Sequence, residues 1–178
     1  MRTLRLFRHS FKTGEFINSE GFALIEAKKD NYFNCNKMFV SPYTRTIQTA
    51  AGILAASNQK TTKIIQIDGL MAEEAVKMLL GNQAFFGPYR KNPDEEIYNL
   101  LDEFFKEGEI SRMELICSLA ITKCFSKMKD GDQSMAVGHN PLITLAANYF
   151  AKTRQFGNLK ELDYVDFFKN GEKIYVKK

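Results

Sequence analysis

Short apolar runs punctuate this chain at regular intervals, and most of them are separated by stretches with helical spacing. Thr3 to Phe7 alternates into an apolar run and predicts a first strand. Asn18 or Ser19 then caps a helix that runs to about Asp30. Lys37 to Val40 is a second, buried strand, followed by a helix from about Tyr43 to Ala56 that is rich in Ala, Ile and Leu, with Ser41 or Thr44 as its cap. Lys63 to Ile67 is a third strand. Helical patterns occupy Ala72–Leu80, Asp94–Phe105 and Arg112–Met128, with Gly81 and the Gly87-Pro88 pair separating the first two. Ser134 to Val137 is a fourth strand. Pro141, suited to a first helical turn, opens a helix to about Ala151. Leu162–Phe168 and Lys173–Lys177 flank Asn170-Gly171, a hairpin signal.

Strand–helix alternation followed by a hairpin predicts an α/β fold. We expect a three-layer sandwich whose mostly parallel sheet is flanked by helices, with the antiparallel C-terminal hairpin at its margin. No linker-like stretch divides the 178 residues, so one domain over 1–178 is expected. Segment 81–109 holds the aromatic run Gln83-Ala84-Phe85-Phe86-Gly87-Pro88-Tyr89-Arg90. It reads as either a small helical cap over a site or a connection packed on the core.

Composition narrows the function. The net charge of +4 is mild and no long basic run occurs, which argues against nucleic acid as a partner. No apolar run approaches the roughly 18 residues of a membrane span, and no signal-peptide core is visible at the N-terminus. Cys35, Cys117 and Cys124 are odd in number and widely spaced, which suits reduced thiols and a cytoplasmic location. With two histidines and no clustered cysteines, neither a metal nor another cofactor is called for. Nothing in the pattern specifies an oligomeric state.

The candidate chemistry lies where the apolar runs end. The first run delivers Arg8-His9-Ser10, the second Ser41 and then Arg45, and the fourth Gly138-His139-Asn140. If these strands are parallel, all these groups emerge at one edge of one sheet, where open α/β folds bind ligands. Two guanidiniums and two imidazoles converging there make an anion site, with phosphate the expected anion. A neutral imidazole is a competent nucleophile toward phosphorus, although His9 alone could equally be a packed strand-end histidine. Arg8, directly after an apolar strand, is hard to bury without a bound anion. Arg45 in the first turn of a helix runs against the dipole preference unless it shares an anion with the helix N-terminus. Gly138 admits a close backbone approach or a positive φ beside His139.

In order and in element context, these motifs resemble the histidine phosphatase superfamily, the phosphoglycerate-mutase-like fold. That family carries Arg-His-Gly after the first strand, Ser-x-x-x-Arg-x-x-Gln-Thr-Ala after the second and Gly-His after the fourth. Here the chain reads Arg8-His9-Ser10, then Ser41 through Arg45, Gln48, Thr49 and Ala50, then Gly138-His139. The likeness spans Arg2 to about Ala151, and the closing hairpin fits it.

The resemblance implies that His9 is the phosphorylated nucleophile and that Arg8, Arg45 and His139 complete the phosphate pocket. It implies a carboxylate acid after the third strand, for which Glu73 is preferred over Glu74. Adjacent helical residues point about 100° apart, so only one of them can serve. Ser10, Lys12, Ser41, Gly138 and Asn140 are the further candidates for substrate contact. Two departures stand out: Ser10 replaces the family glycine, and Phe11-Lys12-Thr13-Gly14-Glu15 follows where mutases carry an Arg-His-Gly-Glu/Asp-x-x-x-Asn loop. The short chain is similar to the small phosphatase branch, which includes protein-phosphohistidine phosphatases. The implied partner is a phosphorylated small molecule or a phosphohistidine protein. The alternatives are a phosphoglycerate-mutase-type phosphotransferase, which needs lids to shield its phosphoenzyme from water, and a phosphate-binding module without turnover.

Overall fold

In the computed structural model, residues 1–91 and 97–177 are described, without the side chains of 86, 90 and 91. The predicted helix start at Asp94 therefore lies outside the described residues. Six strands form the main sheet: β1 (Arg2–Arg8), β4 (Lys37–Val40), β5 (Lys63–Gln66), β6 (Gln133–Gly138), β7 (Tyr164–Asn170) and β8 (Lys173–Lys177). Their order is β5-β4-β6-β1-β7-β8. The first four are mutually parallel, while β7 runs antiparallel to β1 and β8 antiparallel to β7. This is the expected parallel sheet with a hairpin margin. A separate two-stranded ribbon, β2 (Lys12–Thr13) with β3 (Phe16–Ile17), was not anticipated.

Side chains alternate between the faces of the sheet, and each face has its own core. Leu4, Leu6, Phe39, Ala136 and Phe167 point to the face covered by α3 (Glu73–Gly81), α5 (Ile97–Phe104), α6 (Glu107–Ser126) and α7 (Leu142–Ala151). Phe7, Met38, Val40, Met135 and Val137 point to the opposite face, covered by α1 (Ser19–Ala27) and α2 (Thr44–Ala56). Phe39 is fully buried in the central layer. Truncating such a side chain to Ala costs about 3–5 kcal/mol.

The helices that follow β1 and β4 therefore lie on one face, and the helix that follows β6, the strand between them, lies on the other. That reversal opens a crevice at the carboxyl ends of the three strands. Registry levels the residues that enter it. Arg8 pairs with Gly138 and Val40 with Val137, so His9 is level with His139 and Ser41 with Gly138.

Several boundaries differ from expectation. The helix expected from Arg112 begins at Glu107, because the Glu109 carboxylate accepts from the Lys106 backbone N–H at 2.9 Å and closes the first turn. The Gly87-Pro88 pair does not break the chain: α4 (Gln83–Lys91) runs through it. Phe85 and Tyr89, four apart on that helix, stack at 5.6 Å with Phe85 in the core, and this packing outweighs the backbone hydrogen bond that Pro88 lacks. Asn18, not Ser19, caps α1, accepting from Gly21 N at 2.9 Å.

Candidate active site

The two histidines meet as the registry requires, with ring centroids 5.2 Å apart at a 63° angle. Both are nearly enclosed, His9 at 9% and His139 at 8% exposure. The Nδ1 of His9 lies 2.8 Å from the carbonyl oxygen of Ser10. A carbonyl only accepts, so Nδ1 carries the hydrogen and Nε2 keeps its lone pair. Burial, with Arg45, Arg8 and Lys12 nearby, lowers the His9 pKa to about 4. Burial first, then His9 and the same three cations, pushes His139 down as well. Both rings are thus neutral at pH 7.

The Ser-x-x-x-Arg-x-x-Gln-Thr-Ala segment supplies the supports. Ser41 Oγ lies 2.8 Å from His139 Nε2 and 3.0 Å from Thr46 Oγ1, so Ser41 orients His139 rather than facing substrate. Arg45 stands in the first turn of α2, whose N-cap is Tyr43 with no side-chain cap; neither Ser41 nor Thr44 caps it as expected. Gln48 accepts from Ile17 N at 2.8 Å and anchors the small ribbon. Thr49 Oγ1 accepts from Ser10 N at 3.2 Å and donates to Arg45 O at 2.8 Å, and Ala50 is buried in the core.

Arg45 lies over the Tyr43 ring at 4.2 Å, and Tyr43 meets His139 edge-on at 5.1 Å. Its Nη1 bonds Glu15 at 2.7 Å, while its Nε is buried without a partner among the described residues. Arg8 projects from the end of β1 and is held by Glu161 at 2.8 Å and by the carbonyl of Leu159. The anion that accompanies Arg8 in this structure is therefore a carboxylate of the chain itself.

One cavity of about 250 Å³ joins His9, Arg45, His139 and Asn140. Asn140 lines it while accepting from Thr144 at 2.8 Å and donating to Asn158 at 3.0 Å. Other sequence candidates do other work. The Ser10 hydroxyl donates to Gly21 O at 2.8 Å and is fully buried, so it is engaged by the fold rather than offered to a ligand. Gly21 itself must be glycine, since a Cβ there would lie 2.3 Å from Phe11 O. Lys12 is exposed and donates to Gly14 O at 2.7 Å. It adds positive potential without lining the cavity. Gly138 accepts from His9 N at 3.1 Å, has no positive φ, and would hold a Cβ at an ordinary 3.5 Å from Leu6, so the positive-φ reason for glycine does not apply.

The structure does not bring Glu73 to this cavity. A 3-10 turn at Asp68–Met71 and a left-handed Ala72 (φ 45°) precede α3. After them, Met71, Val76, Leu79 and Leu80 line the histidine cavity, whereas Glu73 lines a separate hollow with Asp68, Ile116 and Lys123. Glu74 is taken up by Arg112. The carboxylate in contact with the site's cations on the ribbon side is Glu15, which sits at the position of the mutase Asn. The loop comparison made that visible without assigning it. Tyr89 also lines the cavity, and its spacing from Phe85 was the available signal. Among the described residues no cluster of three or more His, Cys, Asp or Glu is arranged to hold a metal, and no helix is long and apolar enough to cross a membrane.

Solved structures with the phosphoglycerate-mutase-like fold align with this chain along nearly its whole length. No family model and no curated protein matches the sequence. Phosphoserine phosphatase from Entamoeba histolytica aligns at 13% identity and TM-score 0.67, covering 100% of this chain and 96% of that one. A phosphoglycerate mutase from Bacillus anthracis aligns at 16% identity and TM-score 0.64, covering 98% and 91%. The putative phosphohistidine phosphatase SixA from Agrobacterium tumefaciens aligns at 14% identity and TM-score 0.54, covering 99% and 96%. At these identities the shared property is the fold.

Proposed function

We propose that this protein is a phosphatase that hydrolyses a phosphate monoester or phosphoramidate through a covalent phosphohistidine on His9. The observation that carries this reading is the bond from His9 Nδ1 to the Ser10 carbonyl. It presents the other nitrogen as an unprotonated nucleophile inside a cationic pocket. A phosphate-binding module without turnover has no use for that arrangement.

In the proposed cycle, His9 Nε2 attacks phosphorus and the bond to the leaving group breaks. Water then attacks the phosphorus, the P–N bond breaks, and inorganic phosphate leaves with neutral His9 restored. Arg45 and Arg8 balance the charge on the equatorial oxygens of the phosphoryl group, which is the main demand of this chemistry, and the neutral His139 ring contributes a polar wall rather than a charge. The buried Nε of Arg45 is a donor well suited to that task. These charges come from the protein, so the reaction as proposed needs no metal.

The fold relatives named above act on phosphoserine, phosphoglycerate and, putatively, phosphohistidine, so we take the substrate class to be a phosphorylated small molecule or a phosphohistidine protein. Three free, buried thiols suit a reducing compartment, and we propose the cytoplasm. His9→Ala, assayed with nitrophenyl phosphate, is the test. We expect a loss of at least about a thousandfold, and activity within tenfold of wild type would end the reading.

A further inference from the structure

The catalytic step proposed above uses one end of the cavity and leaves the other end without a role. Beyond the histidines and Arg45, the walls are the side chains of Met71, Val76, Leu79 and Leu142 and the rings of Tyr43 and Tyr89. Asn140 is engaged by Thr144 and Asn158. Among the described lining residues, Arg45 is the one formal charge once both imidazoles are neutral. Just outside the lining, Glu15 bonds Arg45 at 2.7 Å, and the charges of Arg8, Lys12 and Glu161 reach the histidines or Tyr89 from a distance. The cavity volume, about 250 Å³, lies below the ~300–1,000 Å³ of ordinary small-molecule sites. It has room for a phosphoryl group and little more than one ring.

We propose, on the strength of the phosphatase reading, that the substrate's leaving group is a compact, uncharged aromatic ring. The substrate would then be an aryl phosphate or N-phosphoryl imidazole in a small molecule, rather than a phosphorylated hydroxy acid or amino acid. Three physical arguments agree. A carboxylate entering this cavity loses water and finds, among the described lining residues, no cation besides the Arg45 committed to phosphate, while Glu15 repels it. An aromatic ring buries its surface against the apolar wall and the Tyr43 and Tyr89 rings. A phenol with pKa about 10 departs without a positioned acid far more readily than an aliphatic alcohol does. That matches a cavity with no carboxylate among its described lining residues.

The test compares 4-ethylphenyl phosphate with 4-(carboxymethyl)phenyl phosphate, whose leaving groups are similar in basicity and differ in charge. We expect kcat/KM to favour the uncharged ring by about 30-fold or more, expressed mainly in KM. Leu80 is 50% exposed and lines the cavity, so it tolerates a cation. Leu80→Arg should shift that ratio by about tenfold toward the carboxylate. A ratio near one in wild type, or no shift in Leu80→Arg, overturns the proposal while phosphorylation of His9 keeps the phosphatase reading intact. A phosphotyrosine peptide preferred more than tenfold over phenyl phosphate overturns the assignment to a small molecule. If no phosphate is turned over and His9 takes up no label, the phosphatase reading fails and the proposal falls with it.

Discussion

The Nδ1 nitrogen of His9 sits 2.8 Å from the carbonyl oxygen of Ser10, its own neighbour in the chain. The tautomer of His9 is therefore set by one peptide group that the strand-to-loop turn carries with it. The chain has two histidines, so nitrogen-15 imidazole spectra contain two ring systems. We expect one ring to show the Nδ1–H tautomer and to stay neutral until about pH 4. His139 should also titrate below its ordinary range. An Nε2–H tautomer for His9, or a titration near pH 6.5, contradicts this.

The same depressed pKa predicts how stability follows pH. Above about pH 6.5 His9 is neutral in both folded and unfolded chains, and its contribution is fully present. As pH falls from 6.5 to about 4, only the unfolded chain takes up the proton, so the folded state loses ground. His139, shifted in the same direction, adds to the loss. For His9 alone the change between pH 7 and pH 5 is about 2 kcal/mol. Urea unfolding at the two pH values measures it, and His9→Gln should flatten the dependence by about that amount.

Glu15 competes with any oxyanion for Arg45. The pair is lopsided, with the Arg45 side chain 14% exposed and the Glu15 side chain 57% exposed, so the bond is modest and displaceable. Glu15→Gln should lower the inhibition constant for tungstate by about threefold to tenfold. An unchanged constant would mean that Glu15 does not guard the anion site.

What the sequence revealed and what it hid follow from range. His9, Ser41 and His139 were legible because each directly follows a buried strand, and parallel pairing levels them without further information; Arg8 ends β1 itself and turns to Glu161, and Arg45 enters from the first turn of α2. The alternation of Leu4, Leu6 and Phe7 likewise announced the two faces of the sheet. The course of the chain between β5 and β6 was much less legible. Ala72 adopts a left-handed backbone that no glycine announces, and α4 passes through Gly87-Pro88 because Phe85 is anchored in the core by distant residues. The ribbon of β2 and β3 has two residues per strand, too few to show a period. Its docking depends on Gln48, thirty-one positions from Ile17.

Glu73 is where this difference matters for chemistry. It belongs to the hollow beside Lys123, not to the histidine cavity. Glu73→Gln should therefore change kcat/KM by less than about twofold for alkyl and aryl phosphates alike. Selective slowing of the alkyl substrate by tenfold or more would restore Glu73 as the proton donor.

The most direct test of the account is to trap the covalent intermediate. Enzyme mixed with phosphorus-32-labelled phenyl phosphate in the presence of EDTA is quenched within milliseconds, digested, and its labelled peptide identified. We predict a base-stable, acid-labile label on the peptide carrying His9, and none in His9→Ala. Turnover without label on His9, label on another residue, or loss of labelling in EDTA with recovery on adding a divalent ion would contradict it.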